Sequence, residues 1–130
     1  MGGVAVSGQE AAWLAQDGGG GQARAAPRVS VSWRARVLLE DATVLECRTL
    51  NISELGFNLL CGRALSGGTV LSVALAVPEP KDRSRIRPVT LTARVVFHVA
   101  AGDQFKVGMQ FLRVDEGARQ FLRQSVHGLR

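Results

Sequence analysis

Aromatic residues are scarce in this sequence. There is no tyrosine, and aromatic side chains make up 5% of the 130 residues. Surfaces that bind single-stranded nucleic acid usually place exposed aromatic side chains between basic ones, and no such row is evident. General nucleic-acid binding therefore stays an alternative that the net charge of +5 permits but nothing else favours.

Long hydrophobic runs are also absent. No stretch reaches the roughly 18 consecutive apolar residues of a membrane-spanning helix. The first residues do not combine a basic segment with a following apolar one, as a secretory signal would. We therefore expect no membrane span, no secretory signal and a cytoplasmic location.

The only two cysteines are Cys47 and Cys61. Neither belongs to a CxxC pair or to a His/Cys cluster, which argues against a zinc site. Both lie among apolar residues in segments that we predict to be strands. Free buried thiols in a reducing compartment are the simplest interpretation.

Patterns typical of catalysis are missing as well. His98 and His127 belong to no Ser/His/Asp or Cys/His constellation in the sequence. The adjacent Asp115 and Glu116 indicate a helix start, where negative charge is favourable, and not a pair of catalytic carboxylates. No glycine-rich phosphate-binding loop follows a predicted strand. We predict a protein that is not an enzyme and has neither a metal nor a cofactor.

The composition that remains is that of a soluble globular domain, with 46% hydrophobic and 21% charged residues. Of the 16 basic residues, 14 are arginine. The planar guanidinium group pairs bidentately with phosphates and with the edge of guanine. A coding preference for arginine explains the overall bias equally well, but it does not explain where individual arginines lie.

Composition also divides the chain. Residues 1–22 are rich in glycine, alanine and serine and include four consecutive glycines at 18–21. Such a segment cannot anchor a hydrophobic core, so we predict a flexible N-terminal tail. Residues 23–130 are long enough for one modest core and are predicted to form one domain.

Alternation of apolar and polar residues predicts the strands. From Val29 to Leu39 every second residue is apolar, and Trp33 lies on the apolar face. Further strands are predicted at 44–50, 57–61, 70–77, 89–99 and 105–112, with short polar or glycine-containing turns between them. The strand at 70–77 is nearly all apolar, so we expect it to be buried on both sides or nearly so. Within 89–99, alternation places Phe97 in the core and His98 outside.

The hydrophobic period changes after Asp115, which is a suitable N-cap. Apolar residues then recur at helical spacing up to Leu129, which predicts one C-terminal amphipathic α-helix. Six strands with short turns and one late helix predict an all-β fold, a six-stranded antiparallel β-barrel, because closure removes exposed strand edges.

One short string precedes the first predicted strand. Arg24 and Arg28 are four residues apart, and Pro27 favours extended backbone at Ala26. Such arginines can fork onto guanine or hold a phosphate. Two solvated arginines in a tail are the ordinary interpretation of this string alone.

A second string, at the end of the second predicted strand, contains Asn51, Ser53 and Gly56. Asn and Ser side chains favour local turns, and glycine permits positive φ or the close approach of a ligand to the backbone. By itself this string is typical of a turn between strands.

In this order and spacing the two strings resemble the signature of the PilZ domain family, an RxxxR arm followed by [D/N]xSxxG. A weaker likeness is the late string Val107–Phe111, similar to the G-x-x-F of the family's last strand. The resemblance covers roughly residues 24–126. It implies a six-stranded barrel that binds cyclic di-GMP, a bacterial second messenger with two guanines and two phosphates.

The resemblance also implies roles for individual residues. Arg24 and Arg28 would grip guanine and phosphate, while Asn51, Ser53 and Gly56 would line the surface of the barrel beside the ligand. His98 is a weaker candidate for an accessory contact. We predict a receptor whose arginine arm becomes ordered around the ligand and thereby changes contact with an unidentified effector protein. A ligand-independent interaction module is the other alternative.

Overall fold

The structure is a computed structural model, and residues 27–127 are described. Its elements are β1 (Val29–Leu38), β2 (Val44–Ile52), β3 (Gly56–Cys61), β4 (Val70–Pro78), β5 (Ile86–Ala101), β6 (Gln104–Arg113) and α1 (Glu116–His127). The predicted tail at 1–22, Arg24 and Leu129 lie outside the described residues. The six predicted strands and the helix are confirmed, with boundaries that differ by a few residues.

The six strands form a closed barrel in the order β1-β2-β3-β6-β5-β4, and every neighbouring pair is antiparallel. The β1–β2 hairpin turn is held by Asp41, whose carboxylate accepts hydrogen bonds from the backbone N–H and hydroxyl of Thr43 at 3.1 and 2.6 Å. These bonds lower the pKa of Asp41 below its usual value, the hydroxyl bond contributing most. Ala42 in this turn has a positive φ of 74°.

The hydrophobic core fills the barrel. Trp33 is 5% exposed, so its predicted place in the core is confirmed. The other buried apolar side chains come from all six strands and from the helix; they include Val37, Ile52, Phe57, Leu59, Val73, Leu75, Leu91, Val95, Val107 and Leu122. Both cysteines are also buried and free.

The prediction that β4 is buried on both sides or nearly so is confirmed for one face only. Leu71, Val73, Leu75 and Val77 point inward, whereas the alternate residues are half-buried and Val70 is 47% exposed. The nearly continuous apolar pattern arises because the outward positions are mostly small, and small apolar residues are tolerated at a half-solvated face.

Helix α1 begins beside Asp115, whose carboxylate accepts a hydrogen bond from the N–H of Ala118 at 3.0 Å, which confirms the predicted N-cap. Its apolar face, with Phe121, Leu122 and Val126, is buried. The hydroxyl of Ser125 donates to the carbonyl of Pro78 at 2.8 Å, which ties the helix to the end of β4. The strand register places this end of β4 at the same end of the barrel as the start of β1.

Candidate ligand-binding site

The two motif strings meet in space. Nη1 of Arg28 donates a hydrogen bond to Oδ1 of Asn51 at 3.0 Å across 23 positions of sequence. The side-chain amide of Asn58, on β3, donates to the same oxygen at 2.9 Å. Because a guanidinium group can only donate, the Asn51 atom that it contacts is the oxygen, and the amide nitrogen of Asn51 stays available as a donor. Arg28 itself is exposed.

A β-bulge explains why Asn51 lies outside the barrel. In the β2–β3 pair, Thr49 lies opposite Leu59 but Asn51 lies opposite Asn58, so Leu50 is an extra residue on β2. Strict alternation from the inward Thr49 would have turned Asn51 into the core. The bulge turns it outward instead, and Ile52 takes the inward position.

The register continues from Asn51 as a row across the outer face of the sheet. Asn58 lies opposite Asn51 on one side and Gly108 on the other, and Gly108 lies opposite Phe97. Asn58 separates the inward Phe57 and Leu59, so it points outward, although its neighbours leave it only 4% exposed. We call Asn51, Asn58, Gly108 and Phe97 the outer row.

The prediction that Phe97 belongs to the core is wrong, again because of a bulge. Val95 lies opposite Met109 and Phe97 lies opposite Gly108, so Val96 is the extra residue. The bulge turns Phe97 outward, where it is 39% exposed. Its ring covers Gly108: a Cβ built on this glycine would lie 2.6 Å from Cζ of the ring.

Ser53 stabilises the turn between β2 and β3. It is 4% exposed, and its hydroxyl oxygen accepts a hydrogen bond from the N–H of Leu55 at 3.1 Å. Its own N–H donates to the carbonyl of Gly56 at 2.8 Å. These contacts fix the loop that follows Asn51. Ser53 is buried beneath the candidate site and holds this loop in position.

Gly56 has a structural role in the barrel, and the predicted need for a positive φ is wrong. Among described residues, the positive-φ glycines are Gly68 and Gly102, so Gly56 is not required for its φ. A Cβ at Gly56 would overlap the carbonyl oxygen of Met109 on β6 and lie 3.0 Å from its carbonyl carbon. The neighbouring strand approaches Gly56 so closely that a larger side chain does not fit.

His98 does not join the site. Its Nδ1 lies 2.9 Å from the carbonyl oxygen of Leu65, so this nitrogen carries the proton and donates. Its ring meets the edge of Phe105 at a centroid distance of 6.1 Å. Leu65 belongs to the β3–β4 connection, at the end of the barrel opposite to the turn that carries Ser53.

A separate groove of about 570 Å³ crosses the outer faces of β1, β2, β4 and β5. Its basic side chains are largely engaged by the protein: Arg36 pairs with Glu46 at 2.9 Å, and Arg48 donates to the hydroxyl of Ser32 at 2.9 Å. None of the motif residues that the structure describes lines this groove, so the candidate site remains at Arg28 and the outer row.

The match to a known family covers most of the chain. The family model described as "PilZ domain" matches residues 22–128, a range that contains both motif strings and every element of the fold. The chain belongs to the PilZ domain family. A search of curated proteins finds no match.

Solved structures show the same fold at low sequence identity. The Bacillus subtilis inhibitor of motility (MotI/DgrA) matches with a TM-score of 0.69 and 19% identity over 82% of this chain. This PilZ chain spans 50% of that protein's length. The PilZ domain of Escherichia coli YcgR, solved with cyclic di-GMP, matches with a TM-score of 0.65 and 17% identity, covering 83% of this chain and 92% of that domain. The PilZ domain of CeSA from a cellulose-synthesizing bacterium matches with a TM-score of 0.54 and 17% identity, over 79% and 97%.

Sequence reasoning missed Asn58 as a member of the candidate site. The available signal was its position, because a lone asparagine between two inward apolar residues must point outward beside its cross-strand neighbour. In the described part of the chain, no three potential metal ligands of the His, Cys, Asp or Glu type come together. The one described helix is too short and too polar to cross a membrane.

Proposed function

We propose that this PilZ domain is a non-enzymatic receptor for cyclic di-GMP. In this proposal Arg24 and Arg28 hold the dinucleotide against the outer row. The contact between Arg28 and Asn51 carries the proposal, because it brings the arm and the turn to one place on the surface at 3.0 Å. The YcgR domain, which has this fold, was solved with the same ligand.

The chemistry of the described side chains suits a guanine dinucleotide. The guanidinium of Arg28 can fork onto O6 and N7 of guanine or onto a phosphate. The Asn51 oxygen already accepts from Arg28 and Asn58, so its amide N–H groups remain as donors to the acceptors of the ligand. The exposed ring of Phe97 offers a face on which a base can stack.

Ser53 and Gly56 act indirectly in this proposal. Ser53 holds the loop through its contacts to Leu55 and Gly56, and Gly56 lets β3 approach β6. We therefore assign direct ligand contact to Arg24, Arg28 and Asn51, and positioning to Ser53 and Gly56.

We further propose that ligand binding orders the arginine arm and so changes the surface offered to an effector protein in the cytoplasm. The start of β1 and the contact between α1 and Pro78 lie at the same end of the barrel. An arm closed over the ligand would therefore alter a surface that includes the neighbourhood of the helix.

Titration calorimetry with cyclic di-GMP tests the proposal. Arg28→Ala removes charge-assisted hydrogen bonds of about 1.5–3 kcal/mol each, so two of them amount to a loss of at least roughly 100-fold in affinity. We expect no measurable binding by this variant. Arg28→Lys keeps the charge but loses the fork, and we expect intermediate affinity.

Arg63→Ala is the matched control, because Arg63 is an exposed arginine beyond Cys61, at the other end of β3 from the site. It should bind as the unmodified protein does. Unchanged affinity of Arg28→Ala would contradict the proposed grip. Absence of binding by the unmodified protein would favour a ligand-independent interaction module. Salt-sensitive binding of a single-stranded oligonucleotide, with no preference for the dinucleotide, would favour general nucleic-acid binding.

A further inference from the structure

The two cysteines face each other inside the barrel. Sγ of Cys47 and Sγ of Cys61 lie 3.0 Å apart, and both thiols are free. The β2–β3 register pairs Arg48 with Leu60, which places Cys47 directly opposite Cys61 one step further along the ladder. They are the only cysteines in the sequence, so an intramolecular disulfide in this protein can only join these two.

The backbone arrangement suits a disulfide. Directly opposed residues of an antiparallel pair have Cα atoms about 4.5 or 5.5 Å apart, and disulfides span Cα separations of about 4.4–6.8 Å. Both side chains point to the same inward face. Since the sulfur atoms already touch, closing the bond requires only a small rotation of the side chains.

We propose that Cys47 and Cys61 are the reduced form of a reversible disulfide that joins β2 to β3 at the end of β3 remote from the outer row. The proposal concerns a covalent modification of the barrel and does not depend on which ligand the domain binds. Disulfides in reducing compartments, where they occur, are typically transient and redox-sensing, which suits a pair that is free in one state and bonded in the other.

The oxidant in this proposal is a peroxide, which is small enough to reach a nearly enclosed thiol. The residue Cys47 is 9% exposed and Cys61 is fully buried, so in this proposal the peroxide oxidises Cys47, the more accessible residue, first. Attack of this sulfur on one peroxide oxygen breaks the O–O bond, giving a sulfenic acid and one water. The sulfur of Cys61 then attacks the sulfenic sulfur and expels the second water. The two thiols lose two hydrogens and two electrons, and hydrogen peroxide is reduced to two waters.

The hydrogen bond between the thiols couples their acidities. It raises the pKa of Cys47, an effect that burial reinforces. The same bond lowers the pKa of Cys61, against a smaller opposing effect of burial. Either sulfur can be the donor in this bond, and the thiolate that attacks a peroxide or a sulfenic sulfur forms at the sulfur that accepts.

The disulfide would constrain the β2–β3 hairpin, whose turn belongs to the candidate site. The two cysteines are 14 positions apart, and the segment between them contains Asn51, Ser53 and Gly56. Closing this loop limits the unfolded chain and holds the two strands together below the turn. We expect the oxidised protein to melt several degrees higher and the amides of the β2–β3 turn to exchange more slowly.

The test is peroxide treatment of the folded, unmodified protein, followed by alkylation of the remaining thiols under denaturing conditions and peptide mapping. We expect both thiols to disappear together, a peptide pair linked through Cys47 and Cys61, and recovery of both thiols with dithiothreitol. Thiols that stay alkylatable, or disulfides formed only between molecules, would overturn the proposal.

Cys61→Ala supplies the matched control, because it keeps the more accessible sulfur and removes its partner. Under the same peroxide we expect Cys47 of this variant to stop at a sulfenic acid, which dimedone traps. Dimedone labelling of the unmodified protein at the same level would mean that Cys61 does not resolve the intermediate, and the pair would not be a redox couple. Because the main measurement uses the unmodified chain, a variant that folds poorly does not affect the conclusion.

Discussion

Replacing Gly56 with alanine separates a structural role for this glycine from a role in ligand contact. Gly56 lies opposite Gln110 in the β3–β6 pair. A new Cβ would overlap the carbonyl oxygen of Met109 and lie 3.1 Å from Cα of Gln110. These are backbone atoms of a paired strand, so they cannot rotate away as a flexible side chain could, and β3 must move away from β6.

The expected cost follows from what this movement breaks. Overpacking of a well-packed site costs about 1–3 kcal/mol, and each stretched hydrogen bond costs about 1 kcal/mol. One bond at risk is that from the N–H of Phe111 to the carbonyl of Leu55, at 3.0 Å. Alanine recovers about 0.5 kcal/mol through the unfolded chain. We expect a loss of about 2.5 kcal/mol, which for a domain of this size lowers Tm by roughly 10–20 °C.

Thermal unfolding without ligand is the assay, and two other glycines provide the comparison. Gly62→Ala should change Tm by no more than a few degrees, because nothing lies within 4 Å of the added Cβ. Gly108→Ala should fall between the two, because the added Cβ meets the ring of Phe97, which is partly exposed and can move. If Gly56→Ala melts like Gly62→Ala yet no longer binds cyclic di-GMP, the glycine serves the ligand and our argument is wrong.

Two further substitutions test the site and the barrel separately. Asn51→Asp exchanges the neutral amide donors proposed for Asn51 for a carboxylate that can accept from Arg28, from Asn58 and from the N–H groups of guanine. Because charge-assisted hydrogen bonds are about twice as strong as neutral ones, we expect this exchange to tighten the binding of cyclic di-GMP about fivefold by calorimetry, about 1 kcal/mol. Equal or weaker binding would show that the lost amide donors matter more than the gained carboxylate. Ala42→Gly relieves a positive φ of 74°, which costs an L-residue about 1–2 kcal/mol. Glycine also makes the unfolded chain more flexible, which offsets part of this gain, so we expect the free energy of unfolding to rise by about 0.5 kcal/mol and Tm by roughly 2–4 °C. A lower Tm would contradict this account of the turn.

The barrel was predictable from the sequence because its strands are long and alternate regularly. Trp33 illustrates this: alternation from Val29 to Leu39 placed it in the core, and it is 5% exposed. The N-cap at Asp115 followed from residue type and position alone. Both depend on local pattern, which a single sequence contains.

The site was less predictable because it depends on two bulges. Leu50 and Val96 each add one residue to a strand, and each reverses the side on which the following residue lies. Alternation alone therefore placed Phe97 inside. A bulge leaves no fixed residue type in the sequence, because it is a mismatch between two strands that are distant along the chain.

The role of Gly56 was out of reach for a related reason. The sequence shows that a glycine is present, but the obstacle to any larger residue is the backbone of Met109, which is more than fifty positions away. Family resemblance pointed to Gly56 without supplying this physical cause.

Closure of the β-sheet has a consequence for how such a domain can signal. Each of the six described strands is hydrogen-bonded on both sides, so no strand can slide or accept a new neighbour without breaking a complete set of backbone bonds. A ligand bound outside the barrel, as we propose, would therefore leave the strands of the barrel nearly unchanged. A partner protein would instead detect changes in the segments that pass over the ends of the barrel. Evolution can change the partner by altering those segments while the barrel stays the same.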